Sequence, residues 1–280
     1  MAQSPGWFVY SIEGQWSPPM QRRGGRHLQP GGAPMPRSPG NTKSVDDRIR
    51  AQVEIWRRQA YAPEEAERAE PAPVFLTLSR QFGCHAFALA EAVVRRIEVR
   101  TGEVFEIFDR KLLEEISGRR DVASRLIESL TERTRSEVED WVVGLFSGAE
   151  SEMSAYRRLA RTVCAIATKG RCILIGRGSA VLTRDLPGGI HVRLVAPVEW
   201  RVRTLKLHPH PNVPAEREAV LRMDLERESF IRKYLGADVN DPTLYHLVLN
   251  NARLSIGRQA ELILHLIETI TTGAEPLGLE

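Results

Sequence analysis

From residue 74 onward, short apolar runs alternate with longer stretches whose apolar positions recur at helical spacing. The runs fall at 74–78 (VFLTL), 104–108 (VFEIF), 172–175 (CILI), 191–196 (HVRLVA) and 246–249 (HLVL). Their length and composition predict strands. Helical patterns lie between and after them, at 86–100, 110–117, 121–134, 136–146, 151–169, 197–207, 214–235 and 255–272. Strands that alternate with helices predict a parallel sheet covered on both faces, a three-layer α/β/α sandwich. In such sheets ligands bind outside the carboxyl ends of the strands. That rule points to residues 79–86, Asp109-Arg110, Gly176-Arg177-Gly178, Pro197 and Asn250.

Upstream the pattern changes. Residues 46–61 read as a helix, with Ile49, Val53 and Trp56 on one face, and the Pro-containing stretch 70–73 (EPAP) reads as a stiff linker. Residues 1–44 are rich in Pro, Gly, Ser and Arg without apolar periodicity, which predicts a disordered tail. The expected division is therefore a tail at 1–44, a helix and linker at 45–73, a main domain at 74–272 and a flexible end at 273–280.

Charge is local. The chain carries a formal net charge of +3. Residues 1–44 hold five basic side chains against one acid, so the remainder is close to neutral. This argues against a strongly basic nucleic-acid-binding domain. Three widely spaced cysteines without metal-ligand spacing, no apolar run of membrane-spanning length and no secretory leader pattern together predict a cytoplasmic protein without membrane contact.

Four places carry candidate chemistry. Residues 74–94 read strand, tight loop, helix, the layout in which helix-start N–H groups and the helix dipole hold an anion. Within it, Arg80, Gly83, Cys84, His85, Ala86 and Phe87 would form a phosphate cradle. A full phosphate-binding loop reads G-x-x-x-x-G-K-[ST], and here one glycine stands with no Lys or Ser/Thr behind it. The plain alternative is an ordinary turn. Cys84, at a helix start, is a candidate for a lowered thiol pKa. Asp109 follows the second strand, where it would cap a helix beginning at Arg110 or bind a polar ligand. Gly176-Arg177-Gly178 places an arginine between two glycines at a strand exit, suited to close approach and bidentate phosphate binding; Asp185, with Arg184, follows near enough to orient it. On the helix from Arg217 to Lys233, Asp224 and Arg227 share a face, a pattern that most often marks a solvated surface. The pair His208 and His210 lacks a third metal ligand nearby and reads as part of a Pro-rich loop.

Taken together, LTLSRQFG (76–83), FEIFDRKLLEEI (105–116), CILIGRGSAVL (172–182), HVRLVAPVEWRVRTL (191–205) and the stretch 228–263 resemble the cytidylate kinase-like family of P-loop nucleoside monophosphate kinases. The resemblance implies a five-stranded parallel P-loop core with a lid over about 206–236. It implies transfer of the ATP γ-phosphoryl group to a monophosphate such as CMP or dCMP, with Mg2+. It also implies Arg177, Arg227 and Arg232 as catalytic arginines, with Gly176, Gly178, Asp109 and Asp185 beside the nucleotide. Relatives commonly read G-S-G-G-[RK] where this chain has Gly83-Cys84-His85-Ala86-Phe87. A non-catalytic nucleotide-binding or regulatory protein on the same fold, or a partner-binding scaffold, therefore stands beside the kinase reading.

Overall fold

The structure, a computed structural model, describes residues 44–60, 73–146, 153–210 and 212–271. The expected tail, apart from Ser44, most of the linker and the C-terminal end lie outside the described residues.

Five strands form one parallel sheet in the order β2-β3-β1-β4-β5. They are β1 (Phe75–Arg80), β2 (Glu106–Phe108), β3 (Cys172–Ile175), β4 (Gly189–Val195) and β5 (Leu247–Asn250). β1 is central, with Leu78 opposite Ile175 of β3 on one side and Arg80 opposite Leu194 of β4 on the other. The chain therefore leaves β1 and β3 side by side, and the turns after these two strands face one cleft.

Alternation along the strands divides the core. Leu76, Leu78, Ile173, Ile175, Val192 and Leu194 pack against α2 (Ala86–Thr101) and α10 (Ile256–Thr271). In α2, Leu89, Val93 and Ile97 are buried one or two turns apart. Their burial contributes roughly 1.5–3 kcal/mol each, and Leu89→Ala would remove about 2–5 kcal/mol. Gly102 ends this helix in the left-handed region. On the other face Phe75, Cys172 and Leu174 pack in one cluster with α1 (Val45–Ala60), α3 (Arg110–Gly118), α4 (Arg120–Glu128), α5 (Glu132–Leu145) and α6 (Ser154–Lys169). Ile49 and Trp56 of α1 are buried in this cluster, so the upstream helix is part of the domain.

Two boundaries differ from expectation. The helix predicted over 121–134 stops at Glu128, because Thr131 accepts from the N–H of Thr134 and caps a new helix, α5. A short helix, α7 (Ser179–Leu182), follows β3 where the pattern predicted no element; the Trp141 indole donates to Leu182 O at 2.7 Å and ties it to α5. The remaining helices, α8 (Val198–Leu207) and α9 (Arg217–Leu235), lie beyond β4.

One stripe of the sheet is polar although buried. Thr77 Oγ1 meets His191 Nδ1 at 2.8 Å, and His246 Nδ1 accepts from the His191 N–H at 3.0 Å. Burial, and then the neighbouring His246, push the His191 imidazole pKa down to about 4, so it is neutral at physiological pH. Among the described residues, no helix is long and apolar enough to cross a membrane.

Candidate functional site

The carboxyl ends of β1, β2 and β3 open into a cleft of about 880 Å³, closed on the far side by α9 and the residues between α8 and α9. Its lining includes Arg80, Gly83, Cys84, His85, Ala86, Phe87, Asp109, Gly176, Arg177, Gly178 and Arg227. The strand-end rule and the sheet order bring these sequence-distant segments together.

The loop after β1 is held from behind. Phe82 N–H donates to Asp224 Oδ1 at 2.7 Å, and Phe82 O accepts from Arg201 Nη1 at 3.0 Å. Arg201 and Asp224 are themselves paired at 2.5 Å and both buried. Gly83 sits at φ +88, and a Cβ there would lie 3.0 Å from Arg201 Cβ, so both backbone conformation and packing require glycine. The expected solvated face of α9 is thus corrected: Asp224 points inward to the loop, and Arg227 is only partly exposed, donating to Arg80 O at 2.6 Å.

The loop's own side chains are occupied elsewhere. His85 meets the rings of Trp200 and His208 edge-on, with centroids 5.8 and 5.6 Å away; burial and the nearby His208 lower its pKa. His210 packs on Phe82 in the same manner. Phe87 packs against the core behind α2. Cys84 is no activated thiol, contrary to the lowered pKa its helix-start position suggested. Burial pushes it up to about 12, which outweighs the nearby arginines and leaves it protonated.

The facing turn is different. Gly176, Arg177 and Gly178 have φ of +76, +56 and +72, three successive left-handed residues. The turn is fixed by Tyr156, whose hydroxyl donates to Arg177 O at 3.0 Å, and by Ile231 and Leu235, which leave no room for a Cβ at Gly178. The Arg80 guanidinium lies against Gly176, whose positive φ itself favours glycine. Arg177 carries a buried Nε without a hydrogen-bond partner, while its Nη2 contacts Glu114.

Asp109 caps α3, accepting from Leu112 N–H at 2.9 Å, and is buried at the cleft edge. It places Arg110 beside Arg80 and Arg177. Arg80, Arg110, Arg177 and Arg227 then form one arginine cluster. It is in excess over the two carboxylates at ion-pair distance among the described residues, Glu114 beside Arg110 and Arg177 and Asp224 beside Arg227. Burial first, then their mutual repulsion, pull Arg80 and Arg177 down to about 9; burial also lowers Arg110 and Arg227. All four remain charged at neutral pH, in a setting that an anion would relieve.

Two expected residues lie elsewhere. Arg232 is largely exposed and faces Asp238 at 3.7 Å. Asp185 pairs with Arg184 at the surface, 3.1 Å apart, and makes no contact with Arg177. Arg110, named with Asp109 at the strand end, lines the cleft, and Glu114, Arg201 and Tyr245, which the sequence did not single out, belong to the site or its support. For Arg110 the adjacency to Asp109 at a strand end is a signal; nothing in its helix pattern separates Arg201 from exposed arginines.

A parallel sheet of order 2-3-1-4-5 with a cleft over the ends of β1 and β3 is an α/β architecture of P-loop type. The chain belongs to the cytidylate kinase-like family, whose profile it matches over residues 75–253. No curated protein matches it. Among solved structures, an uncharacterized protein from Eubacterium ventriosum ATCC 27560 is similar with a TM-score of 0.51 at 12% identity, covering 70% of this chain and 98% of that one. This likeness supports the fold. A shikimate kinase from Bacteroides thetaiotaomicron gives a TM-score of 0.38 at 12% identity, covering 70% and 98% of the two chains. TT1252 from Thermus thermophilus gives 0.34 at 15%, covering 70% and 97%.

Proposed function

We propose that the cleft binds nucleotides and is laid out to pass the γ-phosphoryl group of ATP to a nucleoside monophosphate, with CMP or dCMP the expected acceptor. The observation that carries this reading is the convergence of Arg80, Arg110, Arg177 and Arg227, with the Arg177 Nε unpartnered. Phosphoryl transfer needs positioning and charge stabilisation over several oxygens, not a nucleophilic side chain. A protonated Cys84 is compatible with that. In this reading Arg177 and Arg80 hold the acceptor phosphate, Arg227 reaches the transferring group from α9, and Asp109 lies at the acceptor side.

The residues present do not form a Mg2+ site of their own. Ala88 stands where a P-loop has its hydroxyl, and among the described residues no three His, Cys, Asp or Glu side chains are grouped to hold a metal ion. Magnesium is expected to arrive on the phosphates of the nucleotide, which is a common way for it to be bound. The same loop favours a second reading, a non-catalytic nucleotide-binding protein on this fold.

The test is incubation with Mg-ATP and a panel of nucleoside monophosphates, following nucleoside diphosphate formation, paired with calorimetric binding of ATP and CMP. Diphosphate formation supports the kinase. Binding without turnover across the panel leaves the second reading. If no nucleotide binds or raises the melting temperature at millimolar concentration, both fall and a scaffold role gains.

A further inference from the structure

Arg193 stands in β4, between two neighbouring strands, and is 4% exposed. Strands in the middle of a parallel sheet are ordinarily apolar on both faces. Its partners are all neutral. Nη1 donates to Ser79 Oγ at 3.0 Å and lies 3.5 Å from the Tyr245 hydroxyl, and Nη2 donates to Asn240 Oδ1 at 2.6 Å. The guanidinium also lies 5.6 Å from the centre of the Tyr245 ring. The contrast is Arg201, equally buried, which is paired with Asp224. Among the described residues Arg193 has no carboxylate at ion-pair distance.

A buried charge without a counter-charge is costly. A neutral side chain of similar size would fill the space at less cost. Ser79 and Tyr245 both line the cleft, so the charge stands directly behind its wall. The hydrogen bonds also have a direction. The Tyr245 hydroxyl donates to Val239 O at 2.9 Å. Ser79 Oγ accepts from Arg193 and lies 3.3 Å from the Tyr245 hydroxyl, so the serine hydrogen points either to that hydroxyl or, when an anion is bound, into the cavity.

Resting on the reading of the cleft as a nucleotide site, we propose that Arg193 is a positioning residue for the ligand's phosphoryl group. It holds Ser79 as a hydrogen-bond donor facing that group and supplies buried positive charge behind it. It acts on the ligand only through Ser79 and Tyr245, as a positive charge behind the cleft wall on the β4 side.

The experiment compares the full chain with Arg193→Met, Arg193→Lys and Ser79→Ala, measuring calorimetric affinity for CMP and for pyrophosphate, together with the melting temperature without ligand. Arg193→Met is expected to bind either anion about tenfold more weakly, the size of a lost charge-assisted hydrogen bond. It should melt no lower than the parent, because removing an uncompensated charge relieves its burial cost. Arg193→Lys should recover most of the affinity, which a purely packing role would not predict. Ser79→Ala should lose affinity non-additively with Arg193→Met. Unchanged affinity in Arg193→Met overturns the proposal. If that variant does not fold, unchanged affinity in Ser79→Ala overturns it instead. If the parent binds pyrophosphate but no nucleotide and Arg193→Met loses it, the role of Arg193 stands and the nucleotide reading falls. A parent that binds neither anion overturns both.

Discussion

Two turns face each other across the cleft, and both leave a buried parallel strand and enter a helix. The loop after β1 runs from strand through a tight turn into a helix, yet the side chains it brings to the cleft wall, Cys84, His85, Ala86 and Phe87, add no fixed positive charge. His85 is engaged by Trp200 and His208, and Phe87 by the core. The turn after β3 is a three-residue left-handed stretch that presents Arg177 and accommodates Arg80 against Gly176. Under the proposed function, anion binding would rest on the arginine side chains around the cleft rather than on backbone amides and a loop lysine. A helix-start loop binds phosphate through many N–H groups in one fixed geometry. An arginine cluster binds through charge and bidentate geometry. The second solution tolerates substitutions in the loop, because the loop then has only to be held in place.

The strongest test of that difference removes the loop's support. Asp224→Ala leaves Arg201 buried without its counter-charge and frees the Phe82 N–H. Breaking one partner of a buried pair costs about 3–5 kcal/mol, and urea denaturation should show a loss of that size. A loss below about 1 kcal/mol would mean that the clamp is dispensable.

Acid separates the fold's titration from the loop's. The His191 pKa is depressed from 6.5 to about 4 in the folded chain. The unfolded chain therefore binds more protons, and the stabilising contribution is fully present above about pH 6.5. It declines as the pH falls toward 4, by about 3 kcal/mol in all. The His85 pKa is depressed too, so its contribution is lost in the same direction. Denaturation curves between pH 7 and 4 should show the parent losing stability with acid through this titration, a loss that His191→Gln lacks, so any advantage of the parent is largest at pH 7 and shrinks toward pH 4. Histidine ring resonances should place the His85 transition below the ordinary value. A His85 resonance titrating above 6.5 would contradict its burial among the rings.

Next in size is the turn itself. Arg177→Ala should weaken CMP binding about 10- to 100-fold, the range for a charge-assisted hydrogen bond, while His85→Ala should change it less than about threefold. Calorimetry on both variants decides. The reverse order would return the phosphate to the loop.

How much of this was readable beforehand follows from what periodicity records. The strand–helix alternation predicted the sheet class, and Arg177 between two glycines stood out because a buried strand has little structural need for an arginine at its exit. The break at Ser129 and Leu130 was hidden because both residues fit the helical pattern, and only the Thr131 cap ends it. Arg201 and Asp224 were unreadable as a pair: they sit on different helices, 23 positions apart, and each carries the spacing of an exposed residue. The HVRLV run in β4 did hold a usable signal. Two polar residues, His191 and Arg193, alternate along an interior strand, which marks a face where buried polar contacts must exist.

The smallest expected effect is also the most direct test of the loop. Phe87 occupies the position of the family's basic residue, at the start of α2, where a long side chain can turn back over the loop. Phe87→Lys restores a cation there without touching Arg177. If the loop's backbone already has the phosphate-binding course and lacks only charge, ATP affinity should rise about tenfold, one charge-assisted hydrogen bond. CMP affinity should stay constant, because that anion is assigned to the facing turn. Phe87 also packs on the core behind α2, so a loss of about 1 kcal/mol in stability accompanies the gain. A variant that folds but gains no ATP affinity would show that the loop is closed by its geometry as well. The Arg201–Asp224 clamp and the side chains of His85 and Ala86 would then be the obstacles. The chain's phosphate chemistry would in that case rest on the β3 side of the cleft alone.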